Sequence, residues 1–166
     1  MDKDDIERYL QMLGQELVAA HVTGSLLLLG GAIMVTEVGN RSSTRDIDAS
    51  FDREAQAIRA AVRTIAVREG LPPDWLNDGA KGFLYSQPPM KLWRSFPGLL
   101  VFVISLEYLL AMKVIAGRPG DIADARALVH QLHLTRPQQV LDLVQHFIPP
   151  HYLTVTIQYV VNDLFA

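Results

Sequence analysis

Ser25-Leu26-Leu27-Leu28-Leu29-Gly30-Gly31 is an unbroken apolar run closed by two glycines, and Asp46-Ile47-Asp48 begins fifteen positions after Gly31. A short apolar run without polar alternation, bounded by glycine, reads as a strand buried on both faces. The two acids stand two apart, so on a strand they share a face, with Cα atoms roughly 7 Å apart. Ile47 then turns the other way, into the core. Two carboxylates on one exposed face suit a hard cation, because Mg²⁺ takes oxygen ligands, usually one or two carboxylates with substrate phosphates and water. They also repel each other unless a cation or strong donors compensate. Without Cβ atoms, Gly30 and Gly31 let backbone N–H groups approach phosphate oxygens, and a helix after them would turn its positive end that way. Alone, Asp-x-Asp suits any exposed strand and Gly-Gly any tight turn. Their order, strand, Gly-Gly, helix, turn, strand, Asp-x-Asp, is what points to a nucleotide and metal site.

Upstream, Ile6, Leu10, Leu13 and Leu17 recur on one face of a helix, which breaks between His21 and Gly24. Downstream of the glycines, Ala32 to Val38 is expected as a short helix, Asn40 to Arg45 as a polar turn, and Asp46 to Phe51 as a half-exposed strand. Asp52 to Glu69 is expected as a helix stopped by Gly70-Leu71-Pro72-Pro73. Asp74 to Gly98 is the least regular stretch, and Leu99 to Ser105 is a second buried strand. Helices are expected over Tyr108 to Ile115 and Asp121 to Leu132. Another reaches Ile148, opened by a Thr135-x-x-Gln138 capping box and ended by Pro149-Pro150. His151 to Phe165 is read as helix over strand. Strands come early and helices late, an α/β or α+β layout with a small sheet and a C-terminal helical part. The expectation is one domain over 1–166, with a core at about 22–106 and C-terminal helices at about 107–166.

The 166 residues are 49% hydrophobic and 20% charged, too apolar for a disordered tail and enough for a real core. A net charge of −3 gives no global basic field for nucleic acid. The absence of Cys excludes disulfides, Cys-ligated metal and a thiol nucleophile. Met1-Asp2-Lys3-Asp4-Asp5 reads as neither signal nor transit peptide, and Gly98 to Met112 is interrupted by Glu107 and falls short of a bilayer span. A soluble cytoplasmic protein without a membrane partner is the expectation. Its mean hydropathy of +0.16 is high for such a chain and hints at a partner surface.

Leu29-Gly30-Gly31-Ala32 together with Arg41-Ser42-Ser43-Thr44-Arg45-Asp46-Ile47-Asp48-Ala49 resembles the opening motif of minimal nucleotidyltransferases, in particular the AbiEii/MenT toxin-like branch and the DUF6036-type nucleotidyltransferases. Leu71-Pro72-Pro73-Asp74-Trp75-Leu76-Asn77 resembles a later segment of that branch. So does Tyr108-Leu109-Leu110-Ala111-Met112-Lys113, with Arg118 and Asp121-Ile122-Ala123-Asp124. The resemblance spans about residues 25 to 132. It implies the nucleotidyltransferase fold, a small mixed sheet flanked by helices, and transfer of an NMP from an NTP to an RNA (a tRNA end included) or protein hydroxyl. It further implies that Gly30 and Gly31 cradle the triphosphate and that Asp46 and Asp48 bind Mg²⁺. Lys113 would contact a phosphate. Asp121, or Asp124 in its place, would orient or deprotonate the acceptor. Arg41, Ser43 and Thr44 would join the nucleotide site. The implied setting is a toxin–antitoxin pair with a cognate antitoxin partner, the oligomeric state being left open. Two departures stand out: position 31 is Gly where many nucleotidyltransferases have Ser, and the strand from Leu99 to Ser105 carries no third acid.

Plainer roles exist for each of these residues. Lys113 could snorkel or pair with an acid, and Asp121 could cap a helix. Arg41 and Arg45 could neutralise the acids, Ser43 and Thr44 could order the turn, and Trp75 and Asn77 read as a buried ring and a turn amide. The scattered histidines, His130 and His133 included, suggest no zinc site. Lys81, Lys91, Arg94, Lys113 and Arg118 could form a local basic path for RNA. Two other functions compete: a catalytically silent nucleotidyltransferase fold that binds a partner protein, and a phosphohydrolase using the same two acids.

Overall fold

Three interior residues of the apolar run set the centre of a five-stranded sheet. The computed structural model describes residues 1–166, in two compact units: Met1–Phe83 with Met90–Val103, and Leu84–Pro89 with Ile104–Ala166. In the first unit, β1 (Gly24–Leu28) buries Leu26, Leu27 and Leu28. It lies between β2 (Ile47–Arg53), antiparallel to it, and β5 (Leu99–Ile104), parallel to it. With β3 (Leu76–Asn77) and β4 (Met90–Phe96) the strand order is β3-β2-β1-β5-β4. The class is therefore mixed α/β, with a mixed sheet and seven α-helices.

The periodic face at the N-terminus forms α1 (Lys3–Ala19), where Ile6, Leu10, Leu13 and Leu17 are fully buried. Asp2 and Asp5 close it reciprocally: the Asp5 N–H donates to Asp2 Oδ1 at 2.9 Å and the Asp2 N–H to Asp5 Oδ2 at 3.2 Å. Such a box satisfies two of the donors a helix start leaves open. Helix α3 (Ala55–Glu69) packs beside α1 and buries Ile58, Val62 and Ile65.

Several sequence expectations need correction. The helix expected over Ala32–Val38 is one α-turn, α2 (Gly30–Ile33), followed by a π-turn over Met34–Val38 whose closing bond runs from the Gly39 N–H to the Met34 carbonyl at 2.9 Å. Thr36 spends its hydroxyl on the Ala32 carbonyl at 2.9 Å. The second strand is half-exposed only at its start. Ala49, Ser50 and Phe51 are buried because β2 lies inside the sheet. The irregular stretch holds β3, a 3-10 turn at Gly79–Phe83 and the edge strand β4, whose Met90, Lys91 and Leu92 are all exposed. An edge strand wet on both faces shows no alternation, and this hid it.

The second unit is built on α4 (Leu106–Ala116), which buries Tyr108, Leu109, Leu110, Ala111 and Val114 and touches α5 (Pro119–Gln131), α6 (Pro137–Phe147) and α7 (Val155–Asp163). Ser105 caps α4 by accepting the Tyr108 N–H at 3.1 Å. The capping contact of α6 falls one residue later than expected: Gln139 Oε1 accepts the N–H groups of Thr135 and Arg136 at 2.9 and 3.0 Å. The last segment is a 3-10 turn, Pro150–Tyr152, and then α7. No helix is long and apolar enough to cross a membrane.

Candidate functional site

The ladder between β1 and β2 determines what lies beside the glycines. Leu29, past the end of β1, still donates its N–H to the Asp48 carbonyl at 2.8 Å, so the chain leaves the sheet directly opposite Asp48. Gly30 follows at φ +57°, a left-handed conformation that side chains avoid. A Cβ on Gly30 would stand 3.0 Å from Asp48 Oδ2, and one on Gly31 would stand 3.0 Å from Thr44 Oγ1 and 3.5 Å from Arg41 Nη1. Glycine at both positions makes room for the Asp48 carboxylate and the Arg41–Thr44 loop.

Asp46 and Asp48 share a face. Ile47 between them is fully buried while both acids are part-exposed. Asn77 is the register partner of Asp48 across the parallel β2–β3 pair, and its Nδ2 reaches Asp46 Oδ2 at 3.4 Å. Cross-strand partners project to one side, which puts all three polar side chains there. Thr44 donates its hydroxyl to the Asp46 carbonyl at 3.1 Å and its own carbonyl accepts the N-terminal ammonium at 2.7 Å. The first unit thus brings together Gly30, Gly31, Arg41, Thr44, Asp46 and Asp48, with Ser43 exposed on the outside of the loop.

Two details bear on the expected chemistry. Helix α2 runs directly into the π-turn, so a helical stretch of nine residues, Gly30 to Val38, begins at the glycines. No hydroxyl stands at position 31, and the one beside it, Thr44 Oγ1, lies 3.0 Å from where a Cβ on residue 31 would be and donates to the Asp46 carbonyl. The donors suit magnesium: two carboxylates of one strand face, beside a turn without side chains. No group of three or more His, Asp or Glu side chains is arranged to hold a metal.

Lys113, Asp121 and Asp124 meet inside the second unit. Lys113 Nζ lies 2.8 Å from Asp121 Oδ1 and 2.9 Å from Asp124 Oδ2, and Arg118 Nε lies 2.6 Å from Asp121 Oδ2. Lys113, Asp121 and Asp124 are all buried. Burial alone would raise the Asp121 pKa, but hydrogen bonds from Arg118 and Lys113 outweigh it and hold the carboxyl below its ordinary value. A carboxylate held so is a weak base. Lys113 spends two of its three N–H donors on these acids, and proton transfer by Asp121 would have to displace its bonds to Lys113 and Arg118.

Four of the five residues of the expected basic path are ion-paired. Lys91 pairs with Glu37 at 3.2 Å and Arg94 with Glu7 at 3.0 Å, while Lys113 and Arg118 are tied to the acids just named. Asn77, read from the sequence as a turn amide, does order the turn by accepting the Gly79 N–H at 3.1 Å, and its amide nitrogen also faces Asp46. Its place in a strand register opposite Asp48 could not be read before β3 was known. The chain matches no protein-family model, and no curated protein or solved structure is significantly similar to it.

Proposed function

We propose that this protein is a Mg²⁺-dependent nucleotidyltransferase of the AbiEii/MenT toxin-like group. It moves an NMP from an NTP to an RNA or protein hydroxyl, with a toxin–antitoxin pair as its setting. One observation carries the proposal: the Asp48 carboxylate is packed against Gly30, on the same strand face as Asp46. An acid pair beside a turn free of side chains is what a triphosphate and its counter-ion require.

Asp46 and Asp48 would hold Mg²⁺, which when bound supplies charge neutralisation for the triphosphate. Gly30 and Gly31 admit phosphate oxygens to the backbone, and Arg41 brings a fixed positive charge beside Gly31. The Thr44 hydroxyl, next to Gly31, could serve a phosphate in place of the missing serine only by giving up its bond to the Asp46 carbonyl. The acceptor hydroxyl gives up its proton to water as its oxygen bonds to the α-phosphorus, the bond from that phosphorus to the β-bridging oxygen breaks, and pyrophosphate leaves. The protein's share is alignment and electrostatics.

A second reading has its own support. Val155 and Tyr159, four apart on α7, are 77% and 72% exposed, and Val155 borders a groove of about 380 Å³ also lined by Leu141, Val144, Leu153 and Ile157. That surface suits a catalytically silent fold that binds a partner. Incubation with labelled NTPs, Mg²⁺, bulk RNA and protein separates the two. Transfer of label with release of pyrophosphate supports the enzyme, inorganic phosphate as product supports a phosphohydrolase, and neither product with no NTP binding leaves the partner-binding module.

A further inference from the structure

Strand β3 is two residues long, yet it is firmly placed. Trp75 and Leu76 are buried, the Trp75 indole N–H donates to the Val62 carbonyl at 3.1 Å, and the Trp75 carbonyl accepts the Ile47 N–H at 2.8 Å. Asn77 is the next residue, and its amide can sit in only one orientation. The Gly79 N–H donates to Oδ1 at 3.1 Å, and a backbone N–H cannot accept, so the oxygen must face Gly79. The nitrogen therefore faces the other way, 3.3 Å from the Asp74 carbonyl and 3.4 Å from Asp46 Oδ2. Asp46 meets a donor fixed by the backbone on both sides.

We propose that Asn77 is a positioning residue for Asp46. Its amide holds Asp46 Oδ2 and leaves the other oxygen of that carboxylate to the cation. The inference rests on the assignment of Asp46 and Asp48 as cation ligands and adds the group that orients one of them. The turn-forming and donor roles of Asn77 are separable, because Asp at this position would still accept the Gly79 N–H but would face Asp46 with a charged oxygen. Ala would lose both roles.

The test is a Mn²⁺ titration of the full chain without nucleotide, read as paramagnetic broadening of the Ile47 and Asp48 amide signals, with melting curves alongside. In the wild type the broadening saturates, and Asp46→Asn abolishes it. Asn77→Ala moves the midpoint to about tenfold higher Mn²⁺, the usual cost of losing a partner of a metal ligand. Asn77→Asp moves it to lower Mn²⁺, because a third carboxylate now faces the cation. Opposite movements are the result expected of a positioning donor. If both Asn77 variants keep the wild-type midpoint while Asp46→Asn abolishes broadening, Asn77 is a turn residue and the inference is overturned. If the wild type shows no broadening at these amides, the cation assignment of Asp46 and Asp48 fails and takes the inference with it.

Discussion

Asp48 and Gly30 are in contact across the strand ends: the carboxylate Oδ2 stands 3.0 Å from where a Gly30 Cβ would be, on a residue at φ +57°. Gly30→Ala therefore carries two penalties, about 1–2 kcal/mol for the left-handed backbone and a displaced Asp48 carboxylate. Urea denaturation should show the loss. The Mn²⁺ broadening at Asp48 should weaken as well, although residue 30 offers no ligand.

Gly31 and Thr44 form a second contact of this kind, and here the hydroxyl is also bonded to the Asp46 carbonyl. Gly31→Ser should cost about 1–3 kcal/mol, since Thr44 must give way and lose that bond. Thr44→Ala made in the same molecule should recover part of it. A double-mutant cycle by chemical denaturation checks this, with a favourable coupling of about 0.5–3 kcal/mol expected.

Lys113→Met leaves two buried carboxylates, Asp121 and Asp124, without the ammonium they share. Breaking a buried pair in this way costs about 3–5 kcal/mol. Lys91→Met, which removes an exposed pair with Glu37, should cost less than about 1 kcal/mol. Equilibrium unfolding of the two variants side by side should show that contrast.

Acid should act through Asp121. Its carboxyl is held below the ordinary value in the folded state, so the unfolded chain takes up a proton first as pH falls below about 4. The stability that Asp121 contributes is fully present above that range and is lost as pH drops toward the folded pKa. Asp121→Asn should start from a lower stability at neutral pH and show a shallower acid slope. Melting temperatures between neutral pH and pH 2 would test it.

Periodicity carried α1 and α3, because their buried positions recur every three or four residues; α4 is buried on nearly every side, and α7 buries Ile157 and Val161 while it turns Val155 and Tyr159 outward. Unbroken Leu and Val runs carried β1 and β5, which lie inside the sheet. Strand β4 was hidden by exposure on both faces over Met90 to Leu92, and β3 by being two residues long. At the site, the Asp46–Ile47–Asp48 alternation was readable because Ile47 must be buried. The meeting of Thr44 with Gly31 and of Asn77 with Asp46 was not, since each depends on chain segments brought together by the fold. The pairing of Lys113 with Asp121 and Asp124 was visible only as an alternative: a charge on an apolar helix says that it has a partner, not which one.

The π-turn at Met34–Val38 can be regarded as an α-turn carrying one inserted residue. Its effect is angular. Each residue of an α-helix advances the chain by about 100°, but the wider turn spreads its revolution over one more residue, so it absorbs the insertion and holds the compass bearing at which Gly39, Asn40 and Arg41 depart. Removing one residue from Met34–Val38 would let the turn close as an ordinary α-turn, keep that exit and leave the Arg41 guanidinium beside Gly31. A single-residue deletion there should thus spare the site, whereas one more inserted residue finds the slack already used and would swing the exit by about 100°.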